Sequence, residues 1–314
     1  MKMGIDMGGM SIRMGLVNEE NEIIGRITIP TDLTVPYQVL VERMADAVQQ
    51  MLENAGMTLE QCEGIGIGSP GTIDAKQGVI LYSNNFGLEN VPIVEELKKH
   101  LDTRIEIAND ADAAALGEVC AGAAEGAENA VLLTLGTGVG GGVILDKKIF
   151  RGAMPGGCEL GHLSIRYDGI RCTCGRKGCL EAYASASALL RIAREKSAEH
   201  PESIMNEMCG NDLEQMNGKI PFDATKAGDE AGMEVVKEYE GYLACGIATV
   251  IYTFRPENVI LGGGVAAERE NLTAPLKGLV KDMCFGGSHG YIADIVTSVL
   301  GNDAGIIGAA NLVV

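Results

Sequence analysis

The chain opens on Gly4-Ile-Asp-Met-Gly-Gly-Met-Ser-Ile-Arg-Met-Gly-Leu-Val17, which reads as an apolar strand, a Gly-rich turn and a second apolar strand. The same pattern returns at Leu133-Thr-Leu-Gly-Thr-Gly-Val-Gly-Gly-Gly-Val-Ile-Leu145. Glycines in such turns expose backbone N–H groups, which form concave nests for anions. A third glycine group follows an apolar run at residues 262–264, and no P-loop sequence follows any of the three. The repetition predicts two related halves that bind a nucleotide.

Apolar patterning between these turns alternates between helix and strand periods, which indicates an α/β fold. The predicted helices cover residues 38–55, 92–100, 111–124, 183–199, 231–254 and 305–312, and further strands are predicted at 65–68, 104–108, 130–135, 143–145 and 259–261. The length of 314 residues favours two domains, which we place at residues 1–118 plus 300–314 and at residues 119–299. Residues 200–230 are polar and show no clear period, so a surface excursion is expected there.

Charge and composition exclude several classes of protein. The net charge of −18 argues against a nucleic-acid or anionic-membrane partner, because those partners require a basic face. The sequence shows no signal peptide and no apolar stretch that approaches a membrane span. Its nine cysteines are an odd number, and those outside one cluster are scattered, which is typical of reduced thiols. A cytoplasmic location is therefore expected.

One histidine and three cysteines within eighteen residues predict a metal site. The stretch Pro155-Gly-Gly-Cys-Glu-Leu-Gly-His162 is followed after a spacer by Cys172-Thr-Cys-Gly-Arg-Lys-Gly-Cys179-Leu-Glu181. One histidine and three thiolates form a closed tetrahedral zinc set, and the intervening glycines let the backbone fold tightly around an ion. Four unrelated buried residues are the plain alternative, since cysteine is often buried. Glu159 and Glu181 flank the ligands, which suggests that they bind substrate hydroxyls beside a structural metal.

Asn109 and Asp110 stand where a predicted strand ends and an Ala-rich helix begins. The carboxyl ends of strands in α/β sheets are where active groups collect. Asp110 also suits the helix N-cap, a purely structural role. If a phosphoryl group is delivered to a sugar hydroxyl, a carboxylate must accept the hydroxyl proton. We therefore predict that Asp110 is the general base and that Asn109 orients the hydroxyl.

These motifs together resemble the repressor, open-reading-frame and kinase (ROK) family of bacterial sugar kinases and regulators, within the actin-like ATPase superfamily. The resemblance runs from Gly4 to Ala310, and it is most specific at Glu159, at His162 and in the cysteine cluster. It implies a two-lobed actin-like (ribonuclease-H-like) fold with duplicated β-meander cores and a zinc-binding loop. ATP and sugar would bind in the cleft between the lobes. It also favours a homodimer or homotetramer.

The resemblance implies roles for individual residues. Asp110 would be catalytic, and the sugar would be held by Asn85, Asn109, Asp110, Glu159, His162 and Glu181. Structural Zn²⁺ would be bound by His162, Cys172, Cys174 and Cys179. ATP and Mg²⁺ would be contacted by Asp6, Gly8, Gly9, Ser11, Thr137, Gly138, Gly263 and Gly264.

The first turn departs from the family pattern. The family usually has Gly-Gly-Thr-Lys there, whereas this chain has Gly8-Gly9-Met10-Ser11. Ser11 does not simply replace the lost hydroxyl of position 10, because neighbouring strand residues point to opposite faces. Either the turn is re-registered, or the phosphate depends on Thr137 and backbone N–H groups. We predict weaker nucleotide affinity than is usual in the family, or an altered phosphoryl donor.

The predicted activity is ATP-dependent phosphorylation of a hexose, with glucose at its 6-hydroxyl preferred. Fructose, allose, mannose, N-acetylglucosamine and N-acetylmannosamine are alternative acceptors that sequence separates poorly. A polyphosphate-dependent glucokinase is disfavoured, since those members tend to lack the cysteine cluster. A sugar-responsive transcriptional regulator is disfavoured because the first turn begins at Gly4 and the net charge repels DNA. An intact Asn109–Asp110 pair argues against a non-catalytic sugar-binding module.

Overall fold

This computed structural model describes residues 1–290 and 292–313. Its strands are β1 (Lys2–Met7), β2 (Ser11–Val17), β3 (Ile23–Pro30), β4 (Ile65–Ser69), β5 (Thr72–Asp74), β6 (Val79–Ser83), β7 (Leu88–Val91), β8 (Ile105–Asn109), β9 (Ala130–Leu135), β10 (Val139–Leu145), β11 (Lys148–Ile149), β12 (Asn258–Gly262) and β13 (Asp294–Thr297). Its α-helices are α1 (Tyr37–Ala55), α2 (Ile93–Lys98), α3 (Asp110–Ala121), α4 (Glu181–Ala184), α5 (Ala186–Glu199), α6 (Ile204–Met208), α7 (Ile220–Lys226), α8 (Glu230–Phe254), α9 (Glu270–Met283) and α10 (Asp303–Ala310). The predicted α/β class is confirmed.

The first sheet has the strand order β3-β2-β1-β4-β8. The N-terminal meander is antiparallel, as predicted, whereas β4 lies parallel to both β1 and β8. Ile5, Ile65 and Ile67 are fully buried, which is the burial expected of parallel strands covered on both faces. Because β1, β4 and β8 run in one direction, their carboxyl ends lie at the same edge. This edge carries Asp6 and Asn109.

Helix α10 packs closely against α3 and the first sheet because both surfaces are built from small residues. A Cβ atom added to Gly308 would lie only 1.6 Å from the carbonyl oxygen of Ala113. At Gly4 the same atom would lie 1.9 Å from the carbonyl oxygen of Ile306. The predicted small-residue helix at 305–312 is thus fixed by contacts that only glycine permits.

A buried carboxylate joins α3 to the segment before α10. Glu118 accepts hydrogen bonds from the backbone N–H groups of Ala123 (2.8 Å) and Leu300 (3.1 Å), and its side chain is fully buried. These bonds offset the cost of burying the polar side chain. Sequence patterning gave no signal for this link, because the residues that it joins are far apart in the chain.

A three-stranded antiparallel sheet, in the order β5-β6-β7, was not predicted from the sequence. Its strands are only three to five residues long, and their apolar alternation is too brief to stand out. Ile73 and Ile80 are buried, whereas the Tyr82 side chain is 55% exposed. The sheet supports the turn that carries Asn85.

The second sheet has the strand order β11-β10-β9-β12-β13, with β11 antiparallel to β10 and β13 parallel to β12. Helix α8 matches the prediction for 231–254. It begins after Asp229, whose side chain accepts a hydrogen bond from the Gly232 N–H (2.7 Å). Leu243, Ile247 and Val250 on this helix are fully buried.

The expectation of a surface excursion at 200–230 is wrong. This stretch contains α6 and α7, and both helices contribute to the core. Met205 is fully buried and Phe222 nearly so. The polar residues serve the local structure instead, because Ser203 donates to Asp229 (2.8 Å) and the Asn206 amide donates to the His200 carbonyl (3.0 Å). The helices are too short to show a period in the sequence.

The chain divides into two compact units. Unit 1 contains residues 1–132, 142–158 and 299–314, and unit 2 contains residues 133–141 and 159–298. The domain limits expected at 118 and 300 stay a prediction. Within the part of the chain that the structure describes, no helix has both the length and the apolar character needed to cross a membrane.

Candidate active site and metal centre

The first Gly-rich turn joins β1 to β2 in unit 1. The Gly8 N–H donates to the Ser11 carbonyl (3.0 Å), so this N–H closes the turn and is not left for an anion. Thr31 holds the turn from outside, since its hydroxyl donates to the Gly8 carbonyl (2.6 Å). Met10 stands at the tip with 91% of its surface exposed. The turn therefore presents an apolar side chain where the family pattern has a hydroxyl.

Asp6, at the end of β1, faces Arg13 on β2. The two residues are direct partners in the antiparallel pair, and Arg13 Nη2 lies 2.7 Å from Asp6 Oδ2. Burial raises the pKa of Asp6 and the charge of Arg13 opposes that rise. The charge of Asp110 raises the Asp6 pKa further. Asp6 pairs with Gly68 on β4, and a Cβ atom on Gly68 would lie 3.7 Å from the Asp110 Cα, so both carboxylates belong to the same edge of the sheet. The family resemblance implied roles for Asp6 and Asp110, but none for Arg13.

Asn109 and Asp110 lie at the junction of β8 and α3. Asn109 is the N-cap of the helix, and its Oδ1 accepts from the Ala111 N–H (2.9 Å) while its Nδ2 donates to the Gly71 carbonyl (3.1 Å). Asp110 is the first helical residue rather than the cap. Burial raises the pKa of Asp110, and hydrogen bonds from the backbone and from Asn109 partly offset this rise. A carboxylate with a raised pKa at a strand end suits a general base.

Asn85 lies in the exposed turn between β6 and β7 in unit 1. Its neighbour Asn84 accepts a hydrogen bond from the Tyr82 hydroxyl (3.3 Å), and this bond holds the start of the turn against β6. Among the described residues, Asn85 forms no hydrogen bond with Asn109 or Asp110. Its predicted role in binding sugar stays a prediction.

The predicted metal ligands converge in unit 2. One ligand atom from each of His162, Cys172, Cys174 and Cys179 lies within 4.8 Å of all the others. Cys174 Sγ is 3.6 Å from Cys179 Sγ, and Cys172 Sγ is 3.7 Å from His162 Nδ1. Zinc–sulfur bonds of about 2.3 Å separate the ligands of a tetrahedral site by nearly these distances. The four residues therefore fit a closed zinc site.

Local backbone geometry brings the four ligands together. His162 ends a short 3₁₀ turn in which its own N–H donates to the Glu159 carbonyl (3.0 Å). Gly178 has a φ of 79°, and a Cβ atom on it would lie 1.5 Å from the Arg166 carbonyl oxygen. Burial, together with the neighbouring thiols of Cys174 and Cys172, raises the pKa of the Cys179 thiol to about 12. An ion that binds thiolates would relieve this crowding, since metal binding releases the thiol protons.

Glu181 connects the cluster of His162 and three cysteines to the second Gly-rich turn. Its Oε1 accepts from the Thr173 hydroxyl (3.0 Å) and lies 3.3 Å from Cys172 Sγ. Its Oε2 accepts from the Val139 N–H (3.1 Å), and a Cβ atom on Gly138 would lie 2.3 Å from the same oxygen. The sequence predicted Glu181 as a substrate contact, but gave no indication that it touches the 136–138 turn.

The second Gly-rich turn is anchored from several sides within unit 2. The Gly136 N–H closes the turn on the Gly138 carbonyl (3.0 Å), and the Ser187 hydroxyl donates to the Thr137 carbonyl (2.8 Å). The Thr137 residue itself is exposed. Thr137 and Gly138, which are predicted to contact the nucleotide, thus lie between the start of α5 and the Glu181 carboxylate.

Gly263 lies against the strand that leads into this turn. Its φ of 82° is a left-handed value, and a Cβ atom would lie 2.5 Å from the Leu135 carbonyl oxygen. Gly264 follows at the start of a 3₁₀ turn and is exposed.

The predicted sugar contact Glu159 has an exposed side chain. Its backbone carbonyl accepts the hydrogen bond from the His162 N–H.

Comparisons with known proteins identify the family and the fold of the chain. The model of the ROK family matches residues 2–314. A glucokinase from Thermotoga maritima is 36% identical over 99% of this chain and 96% of its own length. The solved structure of a ROK family glucokinase from Streptomyces griseus, in complex with glucose and AMPPNP, has a TM-score of 0.79 at 32% identity and covers 99% of this chain and 98% of that one. A xylose repressor from Caldicellulosiruptor bescii is 28% identical over 99% of this chain and 77% of its own length.

The chain belongs to the ROK family. Its fold is the actin-like ATPase fold of ROK sugar kinases, as the resemblance implied. Within the family it is most like the bacterial glucokinases, and it is an ATP-dependent sugar kinase.

Proposed function

We propose that this kinase transfers the terminal phosphoryl group of ATP to a hexose, with glucose and its 6-hydroxyl as the preferred acceptor. The observation that carries the proposal is the placement of Asp110 at the carboxyl end of β8, where it is half-buried and has a raised pKa. The similarity to glucokinases supports glucose over other hexoses. Fructose, allose, mannose, N-acetylglucosamine and N-acetylmannosamine remain the alternative acceptors.

In the proposed reaction Asp110 accepts the proton of the acceptor hydroxyl. The hydroxyl oxygen forms a bond to the terminal phosphorus as the bond from that phosphorus to the ADP oxygen breaks, so ADP leaves with the electron pair. Asn109 is fixed by its bonds to Ala111 and Gly71, so it presents its amide to the acceptor in one orientation. Phosphoryl transfer depends mainly on positioning and charge neutralisation, and one well-placed base completes it.

The other acceptor contacts are proposed to be Asn85, Glu159, His162 and Glu181. His162 turns Nδ1 toward Cys172, so Nε2 is the nitrogen that would contact a sugar hydroxyl. Zn²⁺ would be held by His162 and the three cysteines, and it would fix the loop between Glu159 and Glu181. The Glu181 carboxylate accepts hydrogen bonds from its present neighbours, and a sugar hydroxyl is a donor of the same kind.

The donor nucleotide is proposed to bind at the Gly-rich turns. Its contacts would be Asp6, Gly8, Gly9, Ser11, Thr137, Gly138, Gly263 and Gly264. The Gly8 N–H would stay bonded to the Ser11 carbonyl, so Gly8 would contribute through the rest of its backbone. The Asp6 carboxylate is a hard oxygen ligand of the kind that Mg²⁺ prefers. When bound with the nucleotide, Mg²⁺ would neutralise phosphate charge.

The experiment is a coupled assay of ADP release with Mg-ATP and each of the six sugars above. Turnover on glucose with a kcat/KM at least tenfold above that on every other sugar is the expected result. Preference for another hexose would support the kinase reaction but show that glucose is not the preferred acceptor. Turnover on none of the six, with zinc bound, would overturn the proposed reaction and point to a different donor or to loss of catalysis.

A sugar-responsive transcriptional regulator is the second candidate, because a xylose repressor is among the similar proteins. The net charge of −18 argues against DNA binding. Sequence-specific retention of DNA by the purified chain, released by a sugar and accompanied by no ADP release, would favour the regulator.

The setting of the enzyme is also proposed. None of the nine cysteines forms a disulfide in the described part of the chain, so a reducing cytoplasm suits the protein. The family resemblance supports a homodimer or homotetramer, which light scattering of the purified protein would test.

A further inference from the structure

Arg13 occupies a position at the first Gly-rich turn that the roles proposed so far leave without a function. It lies directly opposite Asp6, and its Nη2 is 2.7 Å from the Asp6 carboxylate. A Cβ atom on Gly8 would lie 3.9 Å from the same nitrogen, so the guanidinium rests against the backbone of the turn. The turn residues that are proposed to bind the donor are therefore next to a fixed positive charge.

Carboxylates lie close to this guanidinium and to its partner Asp6 in unit 1. The charge of Asp110 raises the pKa of Asp6. The pKa of Asp303 is lowered chiefly by its hydrogen bond with Arg26, and the charge of Arg13 adds to this effect. Asp303 has its own cation, because Arg26 Nη2 donates to its Oδ2 (2.8 Å). Adding the phosphates of a nucleotide to Asp6 and Asp110 would concentrate negative charge there. A cation at this place would reduce that repulsion.

The alternation of side chains along β2 places Arg13 on the same face of the hairpin as Ser11, where the turn itself carries no charged side chain. Residues i and i+2 of a strand share a face, so Arg13 and Ser11 point the same way from β2. Ser11 carries no charge, and Met10 at the tip offers neither charge nor hydrogen bond. The guanidinium of Arg13 is not fully hydrogen-bonded, since its Nε is buried and has no hydrogen-bond partner among the described residues. Its side chain is 30% exposed, so part of it remains accessible.

We propose that Arg13 is a donor-binding residue, which pairs with Asp6 in the free enzyme and contacts the terminal phosphate oxygens of the bound nucleotide. The inference rests on the proposed function. The simpler possibility is that Arg13 and Asp6 form an ion pair that only holds the hairpin together. If Arg13 binds the terminal phosphate, its loss should weaken binding only of nucleotides that carry that phosphate. If it only forms the ion pair, its loss should not distinguish between nucleotides.

The experiment compares the affinity of the holoenzyme for AMPPNP and for AMP by titration calorimetry, in the wild type, Arg13→Met and Arg13→Lys. Loss of a charge-assisted hydrogen bond corresponds to about a 10- to 100-fold weaker affinity. We expect this loss for AMPPNP in Arg13→Met, a smaller loss in Arg13→Lys and no change for AMP. In steady-state assays the KM for ATP should rise, while the KM for the sugar stays constant. Arg104→Met removes an ion pair with Glu106 at the opposite end of the same sheet and should change none of these values.

Equal weakening of AMPPNP and AMP, or of neither, would overturn the role of Arg13. Thermal melting shows whether Arg13→Met folds. If it does not, the test uses Arg13→Lys, because this variant keeps the charge opposite Asp6 but lacks the planar guanidinium. Arg13→Lys binding that matches the wild type for both nucleotides would then also overturn the role. Failure of the proposed function is distinguishable, since in that case the wild type itself would release no ADP with any sugar of the panel.

Discussion

The two Gly-rich turns repeat one sequence device, but the structure holds them by different means. The first turn is closed by its own backbone and by Thr31, and the charged pair of Arg13 and Asp6 stands beside it. The second turn is tied through Glu181 to the cysteine cluster and through Ser187 to α5. We therefore expect the first turn to respond to changes of charge, and the second to respond to loss of the cysteine cluster. Similar sequence does not imply a similar source of rigidity.

The strongest test of this comparison removes the base beside the first turn. Asp110→Asn keeps the shape of the side chain but abolishes proton acceptance, so kcat should fall by about 10²- to 10⁴-fold. The zinc content, measured by atomic absorption, should not change. Asp102→Asn is a matched control, because Asp102 is exposed and lies before β8 at the other end of the strand. An Asp110→Asn enzyme with wild-type kcat would exclude Asp110 as the base.

The next test breaks the metal centre beside the second turn. Cys174→Ser should lose zinc and reduce kcat/KM for the sugar by about 10- to 100-fold, because the loop that carries Glu181 would lose its anchor. Cys245→Ser, on α8 and outside the cluster, is the matched control. Zinc content and turnover are measured on the same preparations. A zinc-free variant with full activity would show that the metal does not support the site.

A smaller effect is expected when the first turn is made to resemble the second. Met10→Thr adds a hydroxyl at a tip that is almost fully exposed, and one hydrogen bond to a phosphate should lower the KM for ATP by about 2- to 10-fold. Thr137→Met makes the converse change and should raise that KM. An unchanged KM for ATP in Met10→Thr would contradict the prediction that Met10 weakens nucleotide binding.

The smallest expected change is a displacement of the acid limb of the pH profile. Asp110 acts when ionised, so kcat/KM falls as the pH drops through its raised pKa. The hydrogen bond from Asn109 lowers that pKa, so Asn109→Ala should move the acid limb to higher pH. Asn18→Ala, which removes an amide bonded only to Glu22 on the surface, is the control. A limb that stays in place or moves to lower pH would contradict the role of Asn109.

Much of the candidate site was readable from the sequence because its residues are close together in the chain. His162 and the three cysteines span eighteen residues, so their spacing alone indicated the cluster that the structure brings together. Asn109 and Asp110 were found because a strand end beside an Ala-rich helix is a local pattern. Arg13 was detectable in principle, since strand period two puts it on the face of Ser11, but its pairing with Asp6 depends on the hairpin register.

The remaining features depend on contacts that no local pattern encodes. The helices at 204–208 and 220–226 are too short for a period, and only packing shows that Phe222 belongs to the core. The three-stranded sheet at 72–91 has strands too brief for their alternation to be recognised. In both segments burial decides the structure, and burial is a property of the folded chain.

The sequence by itself determined the α/β class, the duplicated Gly-rich turns, the cluster of His162 with three cysteines and the strand end that carries Asp110, because short-range spacing encodes strand ends, turns and ligand clusters. Only the tertiary structure decided that Glu181 joins the metal centre to the second turn and that Arg13 pairs with Asp6 at the first. Glu181 and Val139 are 42 residues apart, and their hydrogen bond exists only once the chain has folded. The sequence determines which side chains are available to form the site, whereas tertiary packing determines which of them come into contact.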